Sequence, residues 1–281
     1  MRTRTILVTA VAAAAMLAGC SDGPGPTASG DPSSTGSAPQ AGAAGTPSAT
    51  PGGTAPSATP SDAATEVPAA SREVPAECAS LALAGGATYS GEALGACVAE
   101  ALPSYGSGRM RMFGDDLDGT VAFTYTPAYS FSVEGKNAGD TIRMTYNDGE
   151  VWVDQGDGPV RGDVKSEKQE EMLAGFVAEM YRSYSDPAMY ADLVRSSKGW
   201  TADAGTKAVE LPDGSSVDSF RIVSDKPFTW HDAPVDEYVL EFGADWVPVS
   251  AAATMSVLGQ SSTVTQHFYD LGTDITITPL G

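Results

Sequence analysis

Residues 109–153 read RMRMFGDDLDGTVAFTYTPAYSFSVEGKNAGDTIRMTYNDGEVWV, with apolar side chains recurring at every second position. Met110 and Met112 alternate with Arg109 and Arg111, and Val121, Phe123 and Tyr125 with Thr120, Ala122, Thr124 and Thr126. Tyr129, Phe131 and Val133 then stand opposite Ser130, Ser132 and Glu134, and Ile142, Met144 and Tyr146 opposite Thr141, Arg143 and Thr145. Asn147-Asp148-Gly149 turns the chain into Val151-Trp152-Val153. A period of two gives each strand one apolar and one wet face, and short turns between such strands make an antiparallel meander.

Beyond the meander the period becomes helical. Ser166 with Gln169 has the spacing of a capping box, and Leu173, Phe176, Val177, Met180 and Tyr184 form one stripe with Glu170, Glu171 and Glu179 mostly outside it. Asp186-Pro187 reads as an N-cap with proline at the first helical position. The shorter helix that follows carries Met189, Tyr190, Leu193 and Val194 and ends at Lys198-Gly199. Strands return from Lys207, with a turn at Asp213-Gly214. Tyr238, Leu240 and Phe242 alternate, Gly243 to Trp246 turns the chain, and Val247 to Val257 alternates again. A turn at Gly259-Gln260, then Val264 and Phe268, then Ile275 and Ile277 complete the strands. Upstream, Glu92 to Leu102 places Ala93, Ala96, Cys97 and Ala101 near one another on a helix. Many strands, two helices and many strands again predict an α+β fold. Its economical form is a single curved antiparallel sheet with helices packed on its concave apolar face.

The first seventy residues are of another kind. Arg2 and Arg4 precede an apolar run from Ile6 to Leu17, too short for the roughly twenty residues of a membrane-spanning helix. With Ala18 and Gly19 it has the form of a secretory signal peptide over residues 1–19. Leu17-Ala18-Gly19-Cys20 resembles the lipobox of bacterial lipoproteins, which implies cleavage before Cys20, a diacylglyceryl thioether on its sulfur and attachment to the outer face of the cell membrane. The plainer alternative is a secreted protein with a cysteine at the cut by chance. Residues 21–70 contain no Leu, Ile, Met, Phe, Trp or Tyr, and Val67 is their only sizeable apolar side chain. Such a stretch cannot offset its ordering entropy by burial and is expected to be a disordered tether, either a spacer or a merely tolerated linker. That leaves residues 71–281 for one domain. The chain's net charge of −20 repels phosphates, which excludes sequence-independent binding of nucleic acid.

Three cysteines, Cys20, Cys78 and Cys97, are an odd number for an exported protein. If Cys20 carries lipid, Cys78 and Cys97 remain as a disulfide pair, or else as two separate buried thiols. No histidine lies near either, which disfavours a metal site.

The meander, the central helix pair and the ending Tyr269-Asp270-Leu271-Gly272…Ile275-Thr276-Ile277-Thr278-Pro279 resemble the LolA-like lipoproteins, in particular the actinobacterial LppX/LprG group. The resemblance covers roughly residues 100–281. It implies a half-barrel sheet around helices, enclosing an apolar cavity for lipids or acylated glycolipids. The cysteine pair and the long tether depart from that group.

Catalysis has few candidates. His231 falls in a loop and His267 on the wet parity of its strand, and Gly-x-Ser-x-Gly, Ser-x-x-Lys and His-Glu-x-x-His are all absent. Asp115, Asp116 and Asp118 fail the EF-hand spacing and read as a polar turn, so neither metal nor cofactor is expected. Seven methionines, Met110, Met112, Met144, Met172, Met180, Met189 and Met255, lie beyond residue 100. They suit either ordinary core filling or a deformable acyl-chain cavity. For the cavity, the expected lining is Phe123, Phe131, Met144, Phe176, Val177, Met180, Leu240, Met255 and Phe268. The leading expectation is a membrane-anchored carrier of lipid or glycolipid without a catalytic step. Its alternative is a solid-core module that presents an acidic surface to a protein or cell-wall partner. A hydrolase would need a nucleophile–base pair that the motifs do not offer.

Overall fold

The structure is a computed structural model that describes residues 73–257 and 260–281; the leader, Cys20, the tether and Gly259 of the expected turn lie outside the described residues. Helix α1 (Ala76–Ala79), strand β1 (Thr88–Ser90), helix α2 (Gly91–Ala101) and a 3-10 turn at Pro103–Tyr105 form the entry. Six strands follow: β2 (Ser107–Phe113), β3 (Leu117–Thr124), β4 (Ser130–Asn137), β5 (Asp140–Asn147), β6 (Glu150–Asp154) and β7 (Pro159–Arg161). Helices α3 (Gln169–Ser183) and α4 (Pro187–Ser196) come next. The last six strands are β8 (Gly199–Glu210), β9 (Ser216–Ser224), β10 (Phe228–Trp230), β11 (Ala233–Gly243), β12 (Val247–Val257) and β13 (Gln260–Tyr269).

All thirteen strands belong to one open sheet in the order β1-β8-β9-β11-β12-β13-β2-β3-β4-β5-β6-β7, with β10 also on β11. Every pairing is antiparallel. Two meanders, β2–β7 and β8–β13, meet at one seam, where β13 pairs β2 and Phe268 stands opposite Met110. The sheet curves, as the alternating pattern predicts. Helices α3 and α4 leave β7 at one edge and return to β8 beside the other. Ten strand spacings separate those strands, about 48 Å if flat. The two helices are about 22 and 15 Å long, so they fit a sheet that curls round them. Gly119 of β3 and Gly135 of β4 face each other within the bend. A Cβ on Gly135 would lie 2.6 Å from the carbonyl oxygen of Asp118, so no larger residue fits that approach.

The inner face carries the predicted parity. Met110, Met112, Val121, Phe123, Phe131, Val133, Ile142 and Met144 are all buried, as are Tyr238, Leu240 and Phe242 on β11. Cys78 and Cys97 form the disulfide and fasten α1 to α2. Asp186 caps α4 by accepting from the N–H of Ala188 at 3.0 Å, with Pro187 in the first turn.

Several expectations need correction. The expected helix is present as α2, which buries Leu94, Gly95, Cys97, Val98 and Ala101 and leaves Ala93 and Ala96 half-buried. Ser166 does not cap α3, which starts at Gln169 after Lys168; its hydroxyl bonds the Glu171 carboxylate at 2.6 Å instead. Ile275 and Ile277 form no strand. The tail beyond β13 crosses the outer face of the first meander: Gly272 donates to the Ser107 carbonyl, Leu280 donates to Thr145 Oγ1, and Gly281 lies against the Trp152 ring.

Asp154 closes β6 with a buried carboxylate that accepts from the N–H groups of Gly156 (2.8 Å) and Gly158 (3.2 Å) and from Arg143. The Gly156 N–H first, then the Arg143 guanidinium and the Gly158 N–H, hold its carboxyl below the usual range. A depressed carboxylate stabilises the fold above its unfolded value of about 3.9, and that contribution disappears as pH falls through the folded value. Asp154→Asn should therefore melt earlier than the parent at about pH 7, and the two thermal midpoints should converge towards about pH 2.

Candidate functional site

The nine expected lining residues divide into two groups. Phe123, Phe131, Met144, Leu240 and Phe268 are fully buried, while Phe176, Val177, Met180 and Met255 are half-buried. An enclosed space of about 10 Å³ lies between α2, α4 and β11–β13, and of the nine only Phe268 touches it. That volume suits one water, not an acyl chain.

Helix α3 meets the sheet differently from the expected stripe. Its buried residues are Ala174, Gly175, Ala178 and Tyr181, whereas Leu173 is 39% exposed and Phe176, Val177, Met180 and Tyr184 are half-buried. The cause is a close backbone approach. A Cβ on Gly175 would sit 2.5 Å from the amide nitrogen of Val164, and one on Gly162 would sit 3.0 Å from the amide nitrogen of Gly175. Small residues at this contact draw the helix down onto the segment after β7. Val177, Met180 and Tyr184 of the bulky ridge still pack against the core from its margin, while Leu173 is left exposed.

The elbow between α3 and α4 is clamped. The Tyr125 hydroxyl donates to the Ser185 carbonyl at 2.9 Å, and the Tyr129 hydroxyl bonds Ser185 Oγ at 2.6 Å. Gln266 on β13 donates to the Tyr184 carbonyl at 2.9 Å, and Arg182 bridges to Asp186. Burial pushes the phenols of Tyr125, Tyr129, Tyr190 and Tyr238 well up, so all remain neutral donors. Tyr181, 1% exposed, is pushed up to about 12 by burial, and its hydroxyl has no hydrogen-bond partner. An unpaired buried hydroxyl costs about 1–3 kcal/mol. Tyr181→Phe is expected to raise the thermal midpoint by a few degrees; a lower midpoint would mean that the hydroxyl is satisfied.

A second concavity is open to solvent. It holds about 390 Å³ and is walled by the segment from Val74 to Leu83, with Phe220 and the β11–β12 turn opposite. In that turn Asp245 and Trp246 both have positive φ, 56° and 58°. Aspartate tolerates this conformation, but for tryptophan it is a true outlier. It directs the indole inwards, edge-on to Phe242 (5.2 Å) and Tyr89 (5.8 Å). No local sequence signal foretold this groove, since its residues come from three distant segments.

The two histidines make local contacts. His231, in the β10–β11 turn, places Nε2 3.3 Å from an Asp192 oxygen that also accepts from the Trp230 indole at 3.0 Å, tying the turn to α4. His267 sits edge-on to Phe113, and burial pushes its imidazole down. Among the described residues no three or more His, Cys, Asp or Glu side chains are grouped to hold a metal ion. Asp118, from the acidic turn, pairs with Arg111 at 3.1 Å.

No family model matches the chain, and no curated protein matches it in sequence. Among solved structures it is similar to LprF from Mycobacterium bovis, with a TM-score of 0.40 and 9% identity over 66% of this chain and 96% of that one. A likeness this remote does not bear on ligand or activity.

Proposed function

We propose that the chain is an extracytoplasmic lipoprotein, anchored through Cys20, that binds a lipid or acylated glycolipid beneath α3 and passes it on without a catalytic step. The observation that carries this reading is the seating of α3. It covers a methionine-bearing inner face through Ala174, Gly175 and Ala178 and leaves Leu173, Phe176, Val177 and Met180 incompletely buried. An acyl chain entering beside α3 would bury that ridge, at about 0.8 kcal/mol for each methylene removed from water. Met144 and Met180 adapt their shape at little cost. The cargo enters by lifting α3 from the sheet while the Ser185 elbow stays fixed.

The small volume of the space between α2, α4 and β11–β13, about 10 Å³, favours a second reading, the solid-core interaction module. Native mass spectrometry of the chain from residue 20 onward, carrying Cys20→Ser, separates the two. The carrier should co-purify with, or take up from phospholipid vesicles, adducts of lipid mass that organic extraction removes. A bare mass before and after vesicle exposure would rule out the carrier.

A further inference from the structure

The Tyr181 hydroxyl is the one buried side-chain polar group without a hydrogen-bond partner among the described residues. The phenols of Tyr89, Tyr125, Tyr129, Tyr190 and Tyr238 are by contrast satisfied: Tyr89 donates to the Ala82 carbonyl at 2.8 Å, Tyr125 and Tyr129 reach Ser185, and Tyr190 and Tyr238 bond each other. Phenylalanine would fill the same volume at position 181 without stranding a hydroxyl, so the oxygen is a standing cost to the fold. Its place is specific. Ala174, Ala178 and Tyr181 follow at helical spacing on the buried face of α3. Tyr181 also stands one turn before the elbow, where its carbonyl accepts from Ser185 Oγ at 3.5 Å. The elbow is the end of α3 that stays fixed when cargo enters, so the hydroxyl keeps its position while the Ala174 end rises.

The chemistry of the position narrows what can meet it. Burial keeps the phenol neutral at ordinary pH, so it offers a proton, and the one electrostatic influence on it is another phenol, Tyr184, not a cation. A phosphate or carboxylate placed there would be a buried charge without a counter-ion, which costs far more than the hydroxyl gains. An amide or a sugar hydroxyl would accept the proton but bring a donor of its own to strand. An ester carbonyl is an acceptor only, and it carries the acyl chain that the apolar surroundings favour. Resting on the carrier reading, we infer that Tyr181 is the polar anchor of the cargo, its hydroxyl donating to an ester carbonyl of an acyl lipid. The acyl chain then lies under α3 towards Ala174, and any charged headgroup stays outside.

The test is a competition. The chain from residue 20 carrying Cys20→Ser is incubated with vesicles of equal parts dioleoylphosphatidylcholine and its di-O-oleyl ether counterpart, which has the same chains and headgroup but no carbonyls. Native mass spectrometry reads the ratio of the two adducts. The parent should prefer the ester lipid at least about fivefold, the low end of what satisfying one buried hydroxyl is worth. Tyr181→Phe keeps the ring and should take up both lipids about equally. Tyr89→Phe, which removes a buried phenol far from α3, should keep the parent's ratio. Thermal midpoints give a second readout: Tyr181→Phe should exceed the parent without lipid, and the ester lipid, not the ether lipid, should narrow that gap. Equal uptake of the two lipids by the parent, an unchanged ratio in Tyr181→Phe, or a gap indifferent to the ester lipid would overturn the anchor and leave the carrier standing. No adduct of either lipid on any variant would remove the carrier, and the anchor with it.

Discussion

Trp200→Ala is expected to destabilise the domain by about 3–5 kcal/mol, the range for deleting a large buried aromatic. Trp200 is 0% exposed and stands where β1, β8, β10, β11 and the end of α4 converge. Its ring packs against Tyr238 at 5.9 Å and Phe228 at 6.5 Å, and its indole N–H donates to the Val194 carbonyl at 3.2 Å. Alanine would leave a cavity and remove the donor to a buried carbonyl, so the two costs add. At roughly 2–4 °C per kcal/mol for a domain of this size, the thermal midpoint should fall by about 6–20 °C. Trp200→Phe keeps most of the volume and loses the hydrogen bond, so its fall should be clearly smaller. Equal losses from the two variants would mean that the indole N–H, not the packing, governs the site.

The next largest effect is expected from the disulfide. Cys78 and Cys97 are nineteen residues apart and both wholly buried. Closing a loop of that length stabilises by about 3 kcal/mol in the chain-entropy model. The double variant Cys78→Ala, Cys97→Ala should lose about 2–4 kcal/mol in urea titrations. In reductant the parent should fall to the stability of the variant, and the variant should not change. A parent insensitive to reductant under native conditions but sensitive once partly unfolded would locate the bond's protection in its burial.

The meander was legible because its signal is local. One strand face is dry and the other wet, so Phe123, Phe131 and Met144 declare their side without reference to the rest of the chain. The cysteine pairing was legible by arithmetic. Strands β1, β7 and β10 were not, since three residues cannot establish a period. The seating of α3 was illegible for a different reason. A helical wheel marks Leu173, Phe176, Val177 and Met180 as the inward side, but the close approach permitted by Gly162 and Gly175 decides which side is buried. The parity of the expected cavity residues was readable as well. How much space they enclose was not, because it depends on the summed volumes of side chains from both meanders and three helices. Trp246 had no signature at all; a left-handed tryptophan follows from the hairpin it closes, not from its neighbours in sequence.

The seam between β2 and β13 bears on the order in which such a chain folds. Met110 cannot meet Phe268 until nearly the whole polypeptide has been made, and β1 waits likewise for β8. Contacts this distant in sequence close slowly, since the intervening loop must be ordered before any pairing rewards it. An emerging chain therefore holds its first meander without its closing neighbour, and both edges of the seam wait for the last strand before the sheet is complete.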